Sequence, residues 1–365
     1  MITRTQALAR AGLVGNPSDG FFGKTISCSV RNYSARVTLF ESPDLVLEPH
    51  RNDRTSFSDL DDLAEDVRLT GYYGGLRLIK AAAVRFRRHC RERGIDLPER
   101  NFTIRYDSDV PVRVGLAGSS AIITSTLRAL MKFYGVDIPR EEQPSLVLSA
   151  ETGELGIPAG LQDRVVQVYE GLVYMDFSRQ IMEEYGRGRY EELAPDLLPP
   201  LFVAHSDKLS EGTEVAHSDL RKRFEAGERR VHHAMREFAE LTDRFRAALE
   251  AGDVGEMHAV VNRNFDLRAG ILPISERNWQ MVNTARNAGV SAKFCGSGGA
   301  IVGICEEEAL FRALCTELDA IGARAIRPVV APLVEELAEN VAADPAPPDA
   351  ADEGEKAAET EEAEA

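Results

Sequence analysis

The stretch Pro111 to Ala121, PVRVGLAGSSA, runs straight into the apolar-periodic segment IITSTLRALMKFY, which sets a glycine-rich turn and two serines where a helix has to begin. A helix start leaves backbone N–H groups without intrahelical partners and carries a partial positive charge, so it attracts an anion such as a phosphate. Gly115 and Gly118 let the backbone close around one. An ordinary serine N-cap would use the same residues, so the turn takes its meaning from the rest of the chain. Behind it, Ile123, Leu127, Leu130 and Tyr134 stand at i, i+4, i+7 and i+11, the buried face of a helix expected to end near Gly135.

Strands precede that helix. LARAGLVG at 8–15 reads as one, followed by the turn NPSDGFFG and two further β-rich runs, TISCSVR and ARVTLF. A mostly helical stretch from about Leu60 to Arg93 is interrupted by Gly71, Gly74 and Gly75, and FTIRYD at 102–107 reads as a strand. Pro144 suits the first turn of a segment reaching to about Glu154, and LVYMDF at 172–177 is another strand. Residues 178–199, with Pro195, Pro199 and many charges, form an expected boundary before the strand PLFVAHS at 200–206. Helical patterns then occupy about Gly212 to Ala288. SAKFC, GSGG, AIVGIC, a helix at 306–321 and a strand near Arg324 give the β-β-α-β rhythm of a small α+β domain.

Composition narrows the partners. Residues 341–365 hold nine acidic residues against one lysine, half of the formal charge of −16, and lack aromatics; a disordered acidic tail, dispensable for chemistry, is expected there. The remaining body is acidic, and its one basic run, RFRRHCRER at 85–93, continues an amphipathic helix, so no nucleic-acid partner is expected. Apolar runs fall far short of a membrane span, and the first residues show no apolar stretch followed by a cleavage site; the expectation is a cytoplasmic protein with no membrane partner. Cys28, Cys90, Cys295, Cys305 and Cys315 are widely spaced, with no CxxC pair, and read as reduced thiols. His232 and His233 are adjacent on a helix and point about 100° apart, too divergent to grip a metal together.

Two familiar phosphate loops are excluded. Gly23-Lys24-Thr25 imitates the end of a Walker loop, but Ser18 stands where its first glycine belongs and a strand follows. GSGGAIVG at 296–303 fails GxGxxG because position 301 is isoleucine. The opening motif instead resembles the second motif of the GHMP kinases, a family of small-molecule kinases that includes galactokinase, homoserine kinase and mevalonate kinase. Pro111, Gly115, Leu116, Ser119, Ser120 and Ala121 match, with one extra small residue before the serines, as in some sugar kinases of the family. RAGLVGNPSD at 10–19 resembles the first motif and KFCGSGGAIVG at 293–303 the third, in the right order.

That resemblance implies a two-domain α+β fold, with an N-terminal domain over 1–190 like the second domain of ribosomal protein S5 and a ferredoxin-like C-terminal domain over 200–335. It implies ATP and Mg²⁺ as cofactors. The backbone from Gly115 through Leu116, Ala117, Gly118 and Ser119 to Ser120 and Ala121 would cradle the phosphates, with Ser120 and Glu151 on the metal. Glu151, twelve positions before Asp163, is preferred to Glu154. Asp163 would take the proton of the acceptor hydroxyl, Arg10 would keep it ionised, and Asp19 would bind sugar. Gly296, Ser297 and Gly298 would form a turn beside the site.

Within the family, GNPSDGFFGKTIS, GYYGGLRL, GLAGSSAI, AGLQDRVVQVYEGLVYMDF and AKFCGSGGA are most similar to members that phosphorylate the anomeric hydroxyl of D-glucuronate. Asn16 and Pro17 replace the Glu-His pair of galactokinases. A uronate requires a cation for its carboxylate, and Arg164, Lys24 and Arg31 are the candidates. Another sugar or sugar acid, such as galacturonate or a heptose, is the alternative acceptor. A regulator that has lost catalysis is the alternative outside enzymes, disfavoured because Arg10, Ser120, Glu151 and Asp163 are all present.

Overall fold

The structure is a computed structural model that describes residues 1–331 apart from 51, 52, 54, 55, 71–73 and 207–213. The expected acidic tail and Gly71 therefore lie outside the described residues. In chain order the first half comprises β1 (Ile2–Val14), β2 (Lys24–Ser42), β3 (Val46–Leu47), α1 (Leu60–Thr70), α2 (Gly75–Glu92), β4 (Asn101–Ser108) and α3 (Gly118–Tyr134). Then come α4 (Gln143–Ser149), a π turn at Ala150–Glu154, α5 (Gln162–Tyr169), β5 (Leu172–Asp176), α6 (Arg179–Tyr185) and β6 (Arg189–Leu193). The remainder is β7 (Leu201–Ser206), α7 (Glu214–Glu225), α8 (Arg229–Ala251), α9 (Val254–Ile271), α10 (Glu276–Asn287), β8 (Lys293–Phe294), β9 (Ala300–Ile304), α11 (Glu308–Ala320) and β10 (Ala323–Ile326).

TISCSVR and ARVTLF, expected as two strands, are one. β2 runs through both and is the spine of a six-stranded sheet: β1 lies antiparallel along one edge, while β4 and β5 share the other. The interruption that suggested two runs is a break in the β1–β2 register, where Leu8 faces Ser34 but Ala9 faces Val30. The segment 178–199 is also more than a boundary. It supplies α6 and β6, which extends the first sheet beside β5. A second, all-antiparallel sheet has the order β10-β7-β9-β8.

Apolar periodicity explains the layering. α2 and α3 cover the first sheet and bury Ile79, Phe86, Leu127 and Phe133 against Val37, Leu39 and Ile104. α3 ends as expected, with Gly135 left-handed and its N–H bonded to the Met131 carbonyl. A second cluster joins the sheets, placing Val14, Ile26 and Val110 together with Val203, Val302, Phe245 and Val260. α10 and α11 close the second sheet around Phe294 and Leu314.

The five cysteines are free thiols. Cys295 is fully buried, and burial pushes its thiol up to about 12, which disfavours the thiolate a nucleophile needs. The basic run of α2 is a solvated face, with Arg85 paired to Glu92 and Arg93 to Glu142.

Candidate active site

A cleft of about 510 Å³ opens where the first and second sheets meet, and the phosphate-type turn forms part of its wall. The chain reaches α3 through left-handed residues: Arg113 at φ 57°, Gly115 at 76° and Ala117 at 65°. These turns aim the start of α3 into the cleft. The first amide of the helix to find a backbone partner there is that of Ala121, at 3.1 Å from the Ala117 carbonyl. Ser119 is exposed beside it, while Ser120 is buried and donates to the Ala117 carbonyl at 3.2 Å. Gln167 of α5 donates to that same carbonyl at 2.8 Å, fixing the turn from behind.

β1 delivers Arg10 to the cleft directly beside this turn. Its Nε donates to Asp163 Oδ1 at 2.6 Å, and its Nη1 donates to the Gly115 carbonyl at 2.6 Å and the Cys295 carbonyl at 3.2 Å. The backbone follows suit: the Arg10 N–H reaches the Leu116 carbonyl at 3.2 Å and the Gly12 N–H the Cys295 carbonyl at 2.8 Å. One strand thus holds both glycine turns. A Cβ at Gly115 would stand 2.8 Å from the Gly298 carbonyl, which shows how tightly the two turns abut. Gly296 and Ser297 line the cleft, whereas Gly298 packs behind them.

Asp163 enters from the first turn of α5. Burial alone would raise its carboxyl, but the charges of Arg10 and Arg164 outweigh that and hold it below the usual carboxylate range. Asp19 sits on a short 3₁₀ turn, Ser18–Phe21, and accepts from the Gln162 N–H at 3.3 Å. Burial pushes its carboxyl up to about 6, with the nearby Asp163 charge adding to the effect. Two carboxylates in one cleft are therefore driven in opposite directions. The ionised one can accept a proton from a hydroxyl, and the other can act as a hydrogen-bond partner for one.

Glu151 and Arg164 lie together on the floor. Arg164 donates through Nε to Glu151 Oε2 at 2.6 Å and through Nη2 to the same oxygen, and its Nη1 reaches the Gly160 carbonyl at 2.9 Å. Burial raises the Glu151 carboxyl and Arg164 offsets part of that. The π turn at 150–154 directs Glu151 inward, while Glu154 stays off the cleft wall and pairs with the exposed Arg88. Glu151 Oε1 has no partner in that pair. Among the described residues no cluster of three or more His, Cys, Asp or Glu side chains could enclose a metal ion. A donor set of one carboxylate oxygen and the Ser120 hydroxyl fits magnesium that rides on phosphate oxygens and water, and does not fit a protein-enclosed metal.

The expected uronate cations are placed differently. Lys24 is outside the cleft wall and pairs with Asp243 at 2.7 Å. Arg31 also lies off the wall, and its backbone N–H bonds the Val329 carbonyl. Arg164 lines the cleft but is occupied by Glu151 and lies 3.4 Å from Asp163.

The family model described as "GHMP kinases N terminal domain" matches residues 77–171, and "GHMP kinases C terminal" matches 245–324. "Probable glucuronokinase 2" of Arabidopsis thaliana is 43% identical over 309 residues, 83% of this chain and 84% of that protein. The chain belongs to the GHMP kinase family. "Glucuronokinase 1" of the same plant is 42% identical over 308 residues, again covering 83% of this chain and 84% of the relative. Among solved structures, Lactococcus lactis galactokinase complexed with galactose superimposes with a TM-score of 0.70 at 15% identity, covering 90% of this chain and 93% of that one.

The fold is accordingly that of GHMP kinases, with mixed helices and sheets. Two residues that brace this GHMP kinase cleft, one on its wall and one buried behind it, escaped the sequence reading. Arg268 of α9 donates to the Gly296 and Ser297 carbonyls at 2.9 Å each. Lys293, fully buried, donates to the Gly12 carbonyl and Asn16 Oδ1 at 2.6 Å each and to the Phe294 carbonyl at 2.8 Å. A signal for Arg268 was present: it falls on the same helical stripe as Met257, Val260, Val261, Phe265 and Ile271, where an arginine is out of place.

Proposed function

We propose that this chain transfers the γ-phosphoryl group of ATP to the anomeric hydroxyl of D-glucuronate, giving glucuronate 1-phosphate and ADP. The observation that carries the reading is the Arg10–Asp163 pair, set beside the glycine turn that starts α3 and the turn at 296–298 that abuts it, in a chain that is 42% identical to "Glucuronokinase 1" over most of its length. Residues 1–190 supply the phosphate cradle and the base, and 200–335 closes the acceptor side.

In this scheme the amides at Gly118 to Ala121 face the phosphates. Asp163, kept ionised by Arg10, accepts the hydroxyl proton as the sugar oxygen attacks the γ-phosphorus in line with the departing ADP oxygen. Arg10 also sits where charge builds up on the transferred group. Asp19 hydrogen-bonds a sugar hydroxyl. Ser120 and Glu151 would hold magnesium, which when bound withdraws charge from the phosphate oxygens; Arg164 must then yield part of its hold on Glu151. Among the described residues no helix is long and apolar enough to cross a membrane, and the proposed setting is the cytoplasm.

The test is a panel of glucuronate, galacturonate, galactose, mevalonate and a heptose with ATP, with the phosphorylated carbon read by ³¹P NMR. Glucuronate should be the best acceptor, and Asp163→Asn should lower kcat by about 10² to 10⁴. A higher kcat/KM on another acceptor, or an Asp163→Asn protein that keeps wild-type kcat, would overturn the reading.

A further inference from the structure

A uronate carries its negative charge into a cleft that also receives nucleotide phosphates, so the loss of its hydration has to be offset by a cation on the acceptor side. Among the described residues the cations on the cleft wall are Arg10, Arg113, Arg164, Arg221 and Arg268. Arg10 is engaged with Asp163, and Arg164 with Glu151. Arg268 is buried, and both of its terminal nitrogens are needed to hold the Gly296 and Ser297 carbonyls. Arg113 belongs to the turn that leads into α3, on the phosphate side.

Arg221, on α7, is placed and paired otherwise. It is exposed, and among the described residues its side chain makes one hydrogen bond, a long one from Nη2 to the Gly20 carbonyl at 3.4 Å. Its guanidinium lies 5.4 Å from the centre of the Phe21 ring, which is itself braced by Phe224 at 5.0 Å. Phe21 thereby supports the guanidinium while, among the described residues, Nε and Nη1 carry no hydrogen bond, and a carboxylate can meet such an edge with two parallel hydrogen bonds.

The order of residues along the wall also suits the acceptor. From Asp163 the wall continues through Gln162, whose N–H meets Asp19, to Gly20 and then Arg221. In a pyranose uronate the carboxylate stands on C5, across the ring oxygen from the C1 hydroxyl. With that hydroxyl at Asp163 and ring hydroxyls toward Asp19, the carboxylate projects along the same wall. We infer that Arg221 grips the acceptor's carboxylate and so sets the preference of this kinase for a uronate over a neutral sugar. The inference rests on the uronate reading above.

The experiment measures KM and kcat of the full chain on glucuronate and on glucuronamide, its uncharged counterpart, for wild type, Arg221→Gln, Arg221→Lys and Lys222→Gln. Arg221→Gln should raise KM for glucuronate by about 10- to 100-fold with little change in kcat, because the contact is the same in the ground and transition states. The lysine variant should fall between. On glucuronamide, Arg221→Gln and wild type should differ by less than about threefold, since no charge remains to be lost. Lys222→Gln, on the same helix but off the cleft wall, should match wild type. A wild-type KM in Arg221→Gln, an equal loss on acid and amide, or an equal loss in Lys222→Gln would overturn the assignment and leave the uronate reading standing. A wild-type chain that uses no uronate overturns both.

Discussion

Asp19 and Arg164 show how much a single side chain in the cleft depends on its neighbours. The Asp19 carboxyl titrates near 6 when folded against 3.8 in the free chain, so the folded protein binds the extra proton between those values. Its favourable contribution is fully present below about pH 3.8 and is lost as pH rises through 6. Asp19→Asn removes a charge the fold disfavours, and should stabilise the protein by about 1–3 kcal/mol at pH 7.5 and by nothing near pH 4. Urea unfolding at the two pH values checks this, and an equal effect at both would remove the charge explanation. The same variant should lose sugar affinity, which makes the aspartate a site where stability is given up for binding. Arg164 shows where residue-level reading stops. The residue was evident in the sequence, but its partner Glu151 is set by a π turn that shifts the helical phase, and no composition rule announces that shift.

Among the elements, α3 was the most legible, because a glycine start, an apolar stripe and a glycine stop all agree. β2 was less so. A strand of 19 residues with a register break in its middle looks like two in a one-dimensional pattern, and only the partner strands on both edges show its continuity. α9 was legible in kind but not in role: its stripe carries Asn264 and Arg268 among apolar residues, and both serve loops distant in sequence, Asn264 by accepting the Gly15 N–H at 2.7 Å. The glycine turn itself gives a direct test. Gly115 is left-handed and pressed against the Gly298 carbonyl, whereas Gly135 is left-handed with open space around it. Gly135→Ala should cost about 1 kcal/mol for the backbone alone, and Gly115→Ala about 2–4 kcal/mol with weaker binding of an ATP analogue. Equal losses in unfolding experiments would mean that the abutting turns separate at little cost.

The molecule as a whole shares its interior between two sheets. The cluster that contains Val14 and Ile26 also contains Val203 and Val302, and α8 and α9 pack Phe245 and Val260 into it. The division near residue 190, read from prolines and charge, locates the change of sheet but not this common core, because contacts between distant segments leave no local mark. Scanning calorimetry should accordingly show one transition for the body of the protein, with the calorimetric and van't Hoff enthalpies in agreement. Two separated peaks would mean that each sheet holds on its own core. Arg10 carries the same sharing into the order of synthesis. Its strand comes before all of its partners, and Gly115, Asp163 and Cys295 follow 105, 153 and 285 residues later. During synthesis this arginine therefore stays partly unmatched until Cys295 has been added, so a nascent product that stops short of that residue cannot assemble the site.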